Sequence, residues 1–467
     1  MTARPFWLAA SAVALALTVA PGCDDAPVDP VYDNPFDPGA GQGLQKLDTP
    51  TAPRLQNATG TSATLVWDDA SEIEEGYVVE RAYSDDVAMP AGSFLPQDDH
   101  YVPVARLPAN TTRHTDTTLV GSRPYRFRLR TVYGALRSDP SPALRLVWSG
   151  LVGAPAVNLD RLLPAAGGFV AREPDGKLRL RAYETLATVH QLVHTSGTDL
   201  SVNTSGTRVV VGPPYEGYQA SVFSLNTGFP TAHRDLLAQP AGPLRSLRTL
   251  FVGEDLVMIL DAVSTEPRPY ALWRPSTGEY RLVPGFAGPA PELAAPGEGL
   301  AFGGTGEGGI YAFDVSTGRV RWTARGSALQ VAASGGLVAV EAGTQVQLLD
   351  VSTGAVRASF STAFAFPGYI LRRGNYVLEP YLDGSPSLQA ISSDGDLVAL
   401  TKNQRQYVYS VSRQKVVRVL DELGHASTLS FLLSFGRGGL LYGASAQTKV
   451  IDLNAVWKAE QGPPSAR

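Results

Sequence analysis

From Leu151 onward, short apolar runs alternate with small-residue turns in a long, repeating register. Each unit reads as an apolar strand, a tight turn, a second apolar strand, a variable loop, a third strand, a turn and a fourth strand. The third strand and the turn after it stand out: Leu180–Thr185 (LRAYET), Val222–Gly228 (VFSLNTG), Ala271–Gly278 (ALWRPSTG), Tyr311–Gly318 (YAFDVSTG) and Val346–Gly354 (VQLLDVSTG). Tyr407–Arg413 (YVYSVSR) and Val450–Asn454 (VIDLN) complete seven copies. The turn has a physical basis, because glycine supplies a positive φ while Ser and Thr hydroxyls bond nearby backbone groups. Gly228, Gly278, Gly318 and Gly354 are 50, 40 and 36 residues apart. Roughly 305 residues shared by seven units is about 44 each, the length of a four-stranded propeller blade.

The first two strands recur as well. Leu200–Val211 (LSVNTSGTRVVV) and Leu388–Leu400 (LQAISSDGDLVAL) are hairpins with a polar, glycine-bearing turn. They resemble the "SxDG" hairpins of WD40-like and quinoprotein-like propellers, although the Trp-Asp dipeptide of WD40 repeats is absent. The resemblance implies a seven-bladed β-propeller over residues 151–458, with a tail at 459–467 expected to be disordered. Ring closure is expected to pair a strand near Ala154 to Leu159 into the last blade, leaving no exposed sheet edge. The stretch from Gly354 to Gln414 exceeds the mean repeat by roughly 15 residues, and the excess is rich in aromatics from Phe364 to Tyr381. It reads either as an aromatic insertion, with a small core of its own or exposed for binding, or as an eighth blade.

Residues 51–148 carry a different pattern of alternating strands. Thr64–Asp68 (TLVWD), Gly76–Arg81 (GYVVER) and Pro124–Val132 (PYRFRLRTV) are the clearest, the last with Tyr125, Phe127 and Leu129 on one face and arginines on the other. With Pro53 opening the segment, Trp67 on the second strand, an acidic linker at Asp69–Gly76 and Tyr125 on a late strand, it resembles the fibronectin type III family. That resemblance implies a β-sandwich in which Trp67 and Tyr125 fill the core. The stretch from Ser84 to His100 is longer than the family's usual connection.

Composition supports an all-β chain. The 47 glycines and 35 prolines are too frequent for a helical bundle, and 44% apolar residues suffice for a core. A net charge of −5 argues against a nucleic-acid surface. The N-terminus has a place of its own: Phe6–Ala20 is an uncharged apolar run of 15 residues, the length of a signal-peptide core. Ala20-Pro21-Gly22-Cys23 follows and contains the chain's one cysteine. It resembles the lipobox of bacterial lipoproteins, with Ala20 where that family has Leu. The resemblance implies a signal peptide at 1–22 and lipidation of Cys23. Residues 24–50, with six aspartates and five prolines, read as an extended tether reaching roughly 80 Å. Asn34–Pro38 (NPFDP) is similar to a motif found after the lipidated cysteine of many envelope lipoproteins.

Catalytic signatures are scarce. The chain has no Gly-x-Ser-x-Gly elbow, no phosphate loop and no His-Glu-x-x-His helix. His190 and His194 have the spacing of a zinc pair. On a strand, however, their rings would stand about 13 Å apart, so no metal is expected. Ile310–Trp322 (IYAFDVSTGRVRW) resembles the blade motif of quinone-dependent dehydrogenases, yet their vicinal cysteines cannot occur here. No cofactor is expected.

Geometry directs attention to one face of the ring, where second-to-third-strand loops carry Tyr and Arg, residue types favoured at binding sites. The candidate contact residues are Tyr215, Tyr218, Arg268, Tyr270, Tyr369 and Arg405. The sequence therefore reads as a lipid-anchored, monomeric envelope protein, expected at the outer membrane. Its propeller would present that face to a protein or glycan partner. An enzyme with a site at the central channel, hydrolase or quinone-dependent oxidoreductase, is the alternative.

Overall fold

A computed structural model describes residues 47–460 apart from 84–100, 121–123, 154–160, 174, 184, 193–198, 213–218, 237–246, 262–268, 284–290, 292, 296–298, 305–307, 328, 332–335, 363–365, 373–374, 382–386, 403–404, 421–431, 437–438 and 445–447. The described residues form strands and turns and contain no α-helix. None of their segments is a helix long and apolar enough to cross a membrane.

The N-terminal unit consists of β1 (Arg54–Ala58), β2 (Ala63–Val66), β3 (Gly76–Tyr83), β4 (Val102–Pro108), β5 (Arg113–Asp116), β6 (Tyr125–Tyr133), β7 (Leu136–Arg137) and β8 (Leu144–Trp148). One sheet has the order β1-β2-β5. The other runs β8-β6-β3-β4, with β7 folded back on β6. Alternation along β6 sends Tyr125, Phe127 and Leu129 inward against Ala63, Leu65 and Trp67 of the first sheet. Trp67 meets Tyr77 edge-on, with centroids 5.9 Å apart. Trp67 and Tyr125 are core residues, both almost fully buried. On the opposite face of β3 and β6, Glu80 accepts from Arg128 at 2.6 Å and Arg130 at 3.2 Å.

Seven four-stranded antiparallel sheets follow among the described residues. They are numbered here as sheet I (161–192), II (200–235), III (247–283), IV (293–325), V (329–361), VI (387–419) and VII (432–452). Sheet VII has three strands of its own and takes β9 (Leu151–Gly153) as its fourth. The first strand of each sheet touches the first strand of the next, and that of VII touches that of I. The sheets therefore close a ring with propeller architecture.

Each sheet is covered on both faces by its neighbours, which explains the continuous apolar runs. Val209–Val211, Leu300–Phe302, Val338–Val340 and Val398–Leu400 are buried along their whole length. The layer between II and III contains Val210, Val222, Phe251, Ile259 and Trp273. That between IV and V contains Phe302, Ile310, Trp322, Val340 and Leu349. At sheets VI and VII the layer is continuous with the core of the N-terminal unit, joining Ala399, Val408 and Ile451 to Trp148 and Tyr125.

Two expectations change. The strand that completes the last sheet is Leu151–Gly153, beginning three residues ahead of the expected stretch; residues 154–160 lie outside the described part. Trp457–Ala459, expected at the boundary of the ring and its tail, is a strand that leaves the ring and pairs with β8 of the N-terminal unit. The reason is Trp457, whose large ring finds a buried place against Tyr125.

Candidate functional site

Strands within each sheet are antiparallel, so the ring has two chemically distinct sides. One carries the turns from first to second and from third to fourth strands. The other carries the connections from second to third strands and the passages between sheets.

The turn side is tightly self-satisfied. In sheet V, Asp350 accepts from Ser352 N and Thr353 N, both at 3.0 Å, and from Arg357 at 2.7 Å. Arg357 first, and then the hydroxyls of Ser352 and Thr353, hold its carboxyl well below the usual range. Asp314 of sheet IV takes the same position and accepts from Ser316 N at 2.8 Å and Thr317 N at 3.1 Å. Between sheets II and III, Asn203 donates to Glu254 at 2.7 Å and Arg208 pairs with Asp255 at 2.6 Å. Burial disfavours the Asp255 charge, but hydrogen bonds from Ser276 and Arg208 outweigh it and lower the carboxyl. Carboxylates with several donors each make poor general bases, because a lowered pKa removes their affinity for a proton.

On the opposite side, sheet I holds a compact ionic cluster. Arg181 donates to Glu173 at 2.7 Å, and Arg179 reaches Asp175 at 2.7 Å and also contacts Glu173. Arg179, with a backbone bond from Lys177, lowers Asp175 to about 2. Both guanidiniums are thus paired with acids of the same cluster.

The candidate contact residues fall in three groups. Tyr215, Tyr218 and Arg268 lie outside the described residues, as does the expected lipidation site Cys23. Tyr369 and Arg405 are described only in backbone position. Arg405 begins the third strand of sheet VI, opposite Lys402 across a tight hairpin. Tyr369 stands opposite Leu378 in a hairpin of Phe366–Arg372 and Asn375–Tyr381, inserted between sheets V and VI. That hairpin is a two-stranded sheet of its own, so among the described residues the excess forms an insertion and not a further four-stranded sheet. Tyr270 leaves the candidate set. Its ring is buried edge-on to Phe313, 5.9 Å between centroids, and its hydroxyl donates to Val315 O at 2.6 Å. Burial pushes this phenol up to about 12, as befits a tie between sheets III and IV.

Glu341, which the sequence did not single out, lies at the end of a strand in sheet V on the same side. Its carboxylate accepts Leu388 N of sheet VI at 3.3 Å, just past the inserted hairpin. Burial raises this carboxyl, while the Leu388 bond pulls the other way. No pattern marks such an isolated glutamate in a sequence. His190 lies on the outer strand of sheet I and contacts Asn226 O at 2.9 Å, whereas His194 is outside the described part. Among the described residues, no three His, Cys, Asp or Glu side chains gather in a group able to hold a metal ion.

No family model matches the chain. No curated protein matches it either. Among solved structures, the chain is similar to the β-propeller domain of Cps50 (Swd1) from Myceliophteria thermophila, with 12% identity and a TM-score of 0.45 over 65% of this chain and 98% of that one. It is similar to U3-55K at 12% identity and a TM-score of 0.44, over 65% and 97% of the two chains. Likeness at this level carries no function across, and the propeller architecture rests on the sheet order and closure described above.

Proposed function

We propose that this chain is a non-enzymatic binding or scaffold protein of the bacterial cell envelope, anchored through a lipid on Cys23. In this reading residues 24–50 are a tether, the N-terminal unit is a fibronectin type III module, and the ring is a seven-bladed propeller. The propeller's loop side, from Tyr215 and Tyr218 through Arg268 and Tyr369 to Arg405, receives a protein or glycan.

One observation carries the reading: the contrast between the two sides of the ring. Turn-side carboxylates are occupied by donors from their own turns or from the adjoining sheet. The other side carries the variable connections and the inserted hairpin. A scaffold needs a fixed frame on one side and variable loops on the other. The N-terminal unit packs at sheets VI and VII, and its buried contacts lie in the strands of those sheets.

The enzyme alternative has less support, since the turn-side carboxylates of sheets III to V are held by several donors each. Two measurements test the reading. Cys23→Ser is expected to move the protein from the detergent phase to the aqueous phase after Triton X-114 partition. Replacing Tyr215, Arg268 and Tyr369 together by Ala is expected to abolish partner capture in crosslinking pull-downs from intact cells while the thermal melt is unchanged. Undiminished capture by the triple variant rules out the loop side as the contact surface.

A further inference from the structure

The ring is closed by its weakest strand. In sheets II to VI the outer strand is joined to its neighbour by a short turn. In sheet VII it is β9, three residues drawn from almost 300 positions earlier in the chain. Only Val450↔Gly153 and Ile451↔Leu151 are in register, across a bulge, with one more bond from Asp452 N to Gly150 O at 2.7 Å. Leu151 and Val152 remain 44% and 46% exposed, so β9 contributes little burial to offset closure of so long a loop.

The N-terminal unit grips the same two chain ends a few residues further out. Directly before β9 runs β8, and shortly after the last strand of sheet VII runs Trp457–Ala459. These two strands pair, Trp457↔Trp148, Lys458↔Val147 and Ala459↔Leu146, extended by Glu460 N to Arg145 O at 2.9 Å. Trp457 is 1% exposed, with its ring edge-on to Tyr125 at 5.1 Å and its Nε1 donating to Gly60 O at 3.1 Å. Trp148 Nε1 reaches back to Ala455 O at 2.9 Å. From sheet VI, the buried Arg418 lays its guanidinium 3.9 Å from the Trp148 ring centroid and donates to the same Gly60 O at 2.7 Å. A Cβ at Gly60 would lie 2.9 Å from Arg418 Nη2 and 3.2 Å from Ala455 O, so a side chain there would crowd this junction and push on Arg418.

We propose that the N-terminal unit is the ring's second clasp: pairing of Trp457–Ala459 with β8, locked by Arg418, Trp148 and Gly60, keeps sheet VII closed. The chain ends are interlaced: β9, which directly follows the N-terminal unit, completes sheet VII, and Trp457–Ala459, which follows sheet VII, extends the sheet of the N-terminal unit. The inference does not depend on what the ring binds.

Hydrogen exchange read by mass spectrometry on the full chain tests it. Deletion of 457–467 is expected to speed exchange at 151–153 and 448–452 by at least about tenfold, with sheets II and III, at 208–211 and 257–261, unchanged. Should the deleted chain fail to fold, Arg418→Lys and Trp457→Phe in the intact chain are expected to shift the same peptides in the same direction. Unchanged protection at 448–452, or a uniform loss across all seven sheets, overturns the proposal.

Discussion

Positive φ recurs in the ring at the turn between third and fourth strands. Gly228, Gly278, Gly318 and Gly354 have φ between 71° and 75° there. Leu186 in sheet I and Gln414 in sheet VI keep the conformation at 57° and 50° without glycine. The surroundings separate otherwise equal positions. A Cβ on Gly278 meets nothing within 4 Å, whereas one on Gly354 would lie 2.7 Å from the Trp322 ring. Trp322 cannot retreat freely, because its Nε1 donates to Val351 O at 2.9 Å and its ring packs on Phe302. Gly278→Ala is therefore expected to cost only the backbone strain, about 1 kcal/mol. Gly354→Ala adds overpacking and is expected to cost at least about 2 kcal/mol. Urea unfolding of the two variants checks the order, and equal losses would refute the Trp322 contact.

At the scale of the element, the turn is a small electrostatic device. Arg357, Ser352 and Thr353 hold the Asp350 carboxyl below its unfolded value. The unfolded chain thus takes up the proton first, and the stabilisation is present above about pH 4 and is lost as acid protonates the folded turn. Wild type is expected to exceed Asp350→Asn in melting temperature at pH 6, with the margin shrinking steadily towards pH 2. A margin independent of pH would mean that the carboxylate's charge plays no part. Much of this element was legible in the sequence, because Ser-Thr-Gly after an apolar strand fixes both φ and hydroxyl donors locally. The turns at Leu186 and Gln414 were read as copies of the same unit, but their positive φ was not legible, since no glycine marks it and the strands on either side impose it. The places of Trp67 and Tyr125 followed from simple alternation. The burial of Tyr270 did not, because a tyrosine at a strand's first residue reads equally as a loop anchor until the neighbouring sheet supplies Val315 as acceptor.

For the whole molecule, the periodicity conveyed the all-β architecture, the propeller and closure by an early strand, but neither that strand's place at Leu151–Gly153 nor the pairing of Trp457–Ala459 with β8. β9 is three residues long and Trp457–Ala459 another three, too short for any period to register. Both take their structure from partners hundreds of residues away. The acidic segment 24–50 carries most of the net charge, leaving 51–467 nearly neutral, so long-range electrostatics have little part in holding the ring to the N-terminal unit. Closure is the claim on which the two-sided surface depends, and a disulfide tests it most directly. Leu151 and Ile451 are Cα partners across the seam, a spacing suited to a disulfide bond. In a Cys23→Ser background, Leu151→Cys with Ile451→Cys is expected to crosslink quantitatively within the monomer under mild oxidation, as should the control pair Leu200→Cys with Val211→Cys inside sheet II. Crosslinking of the control pair alone would mean that the seven sheets form an open stack.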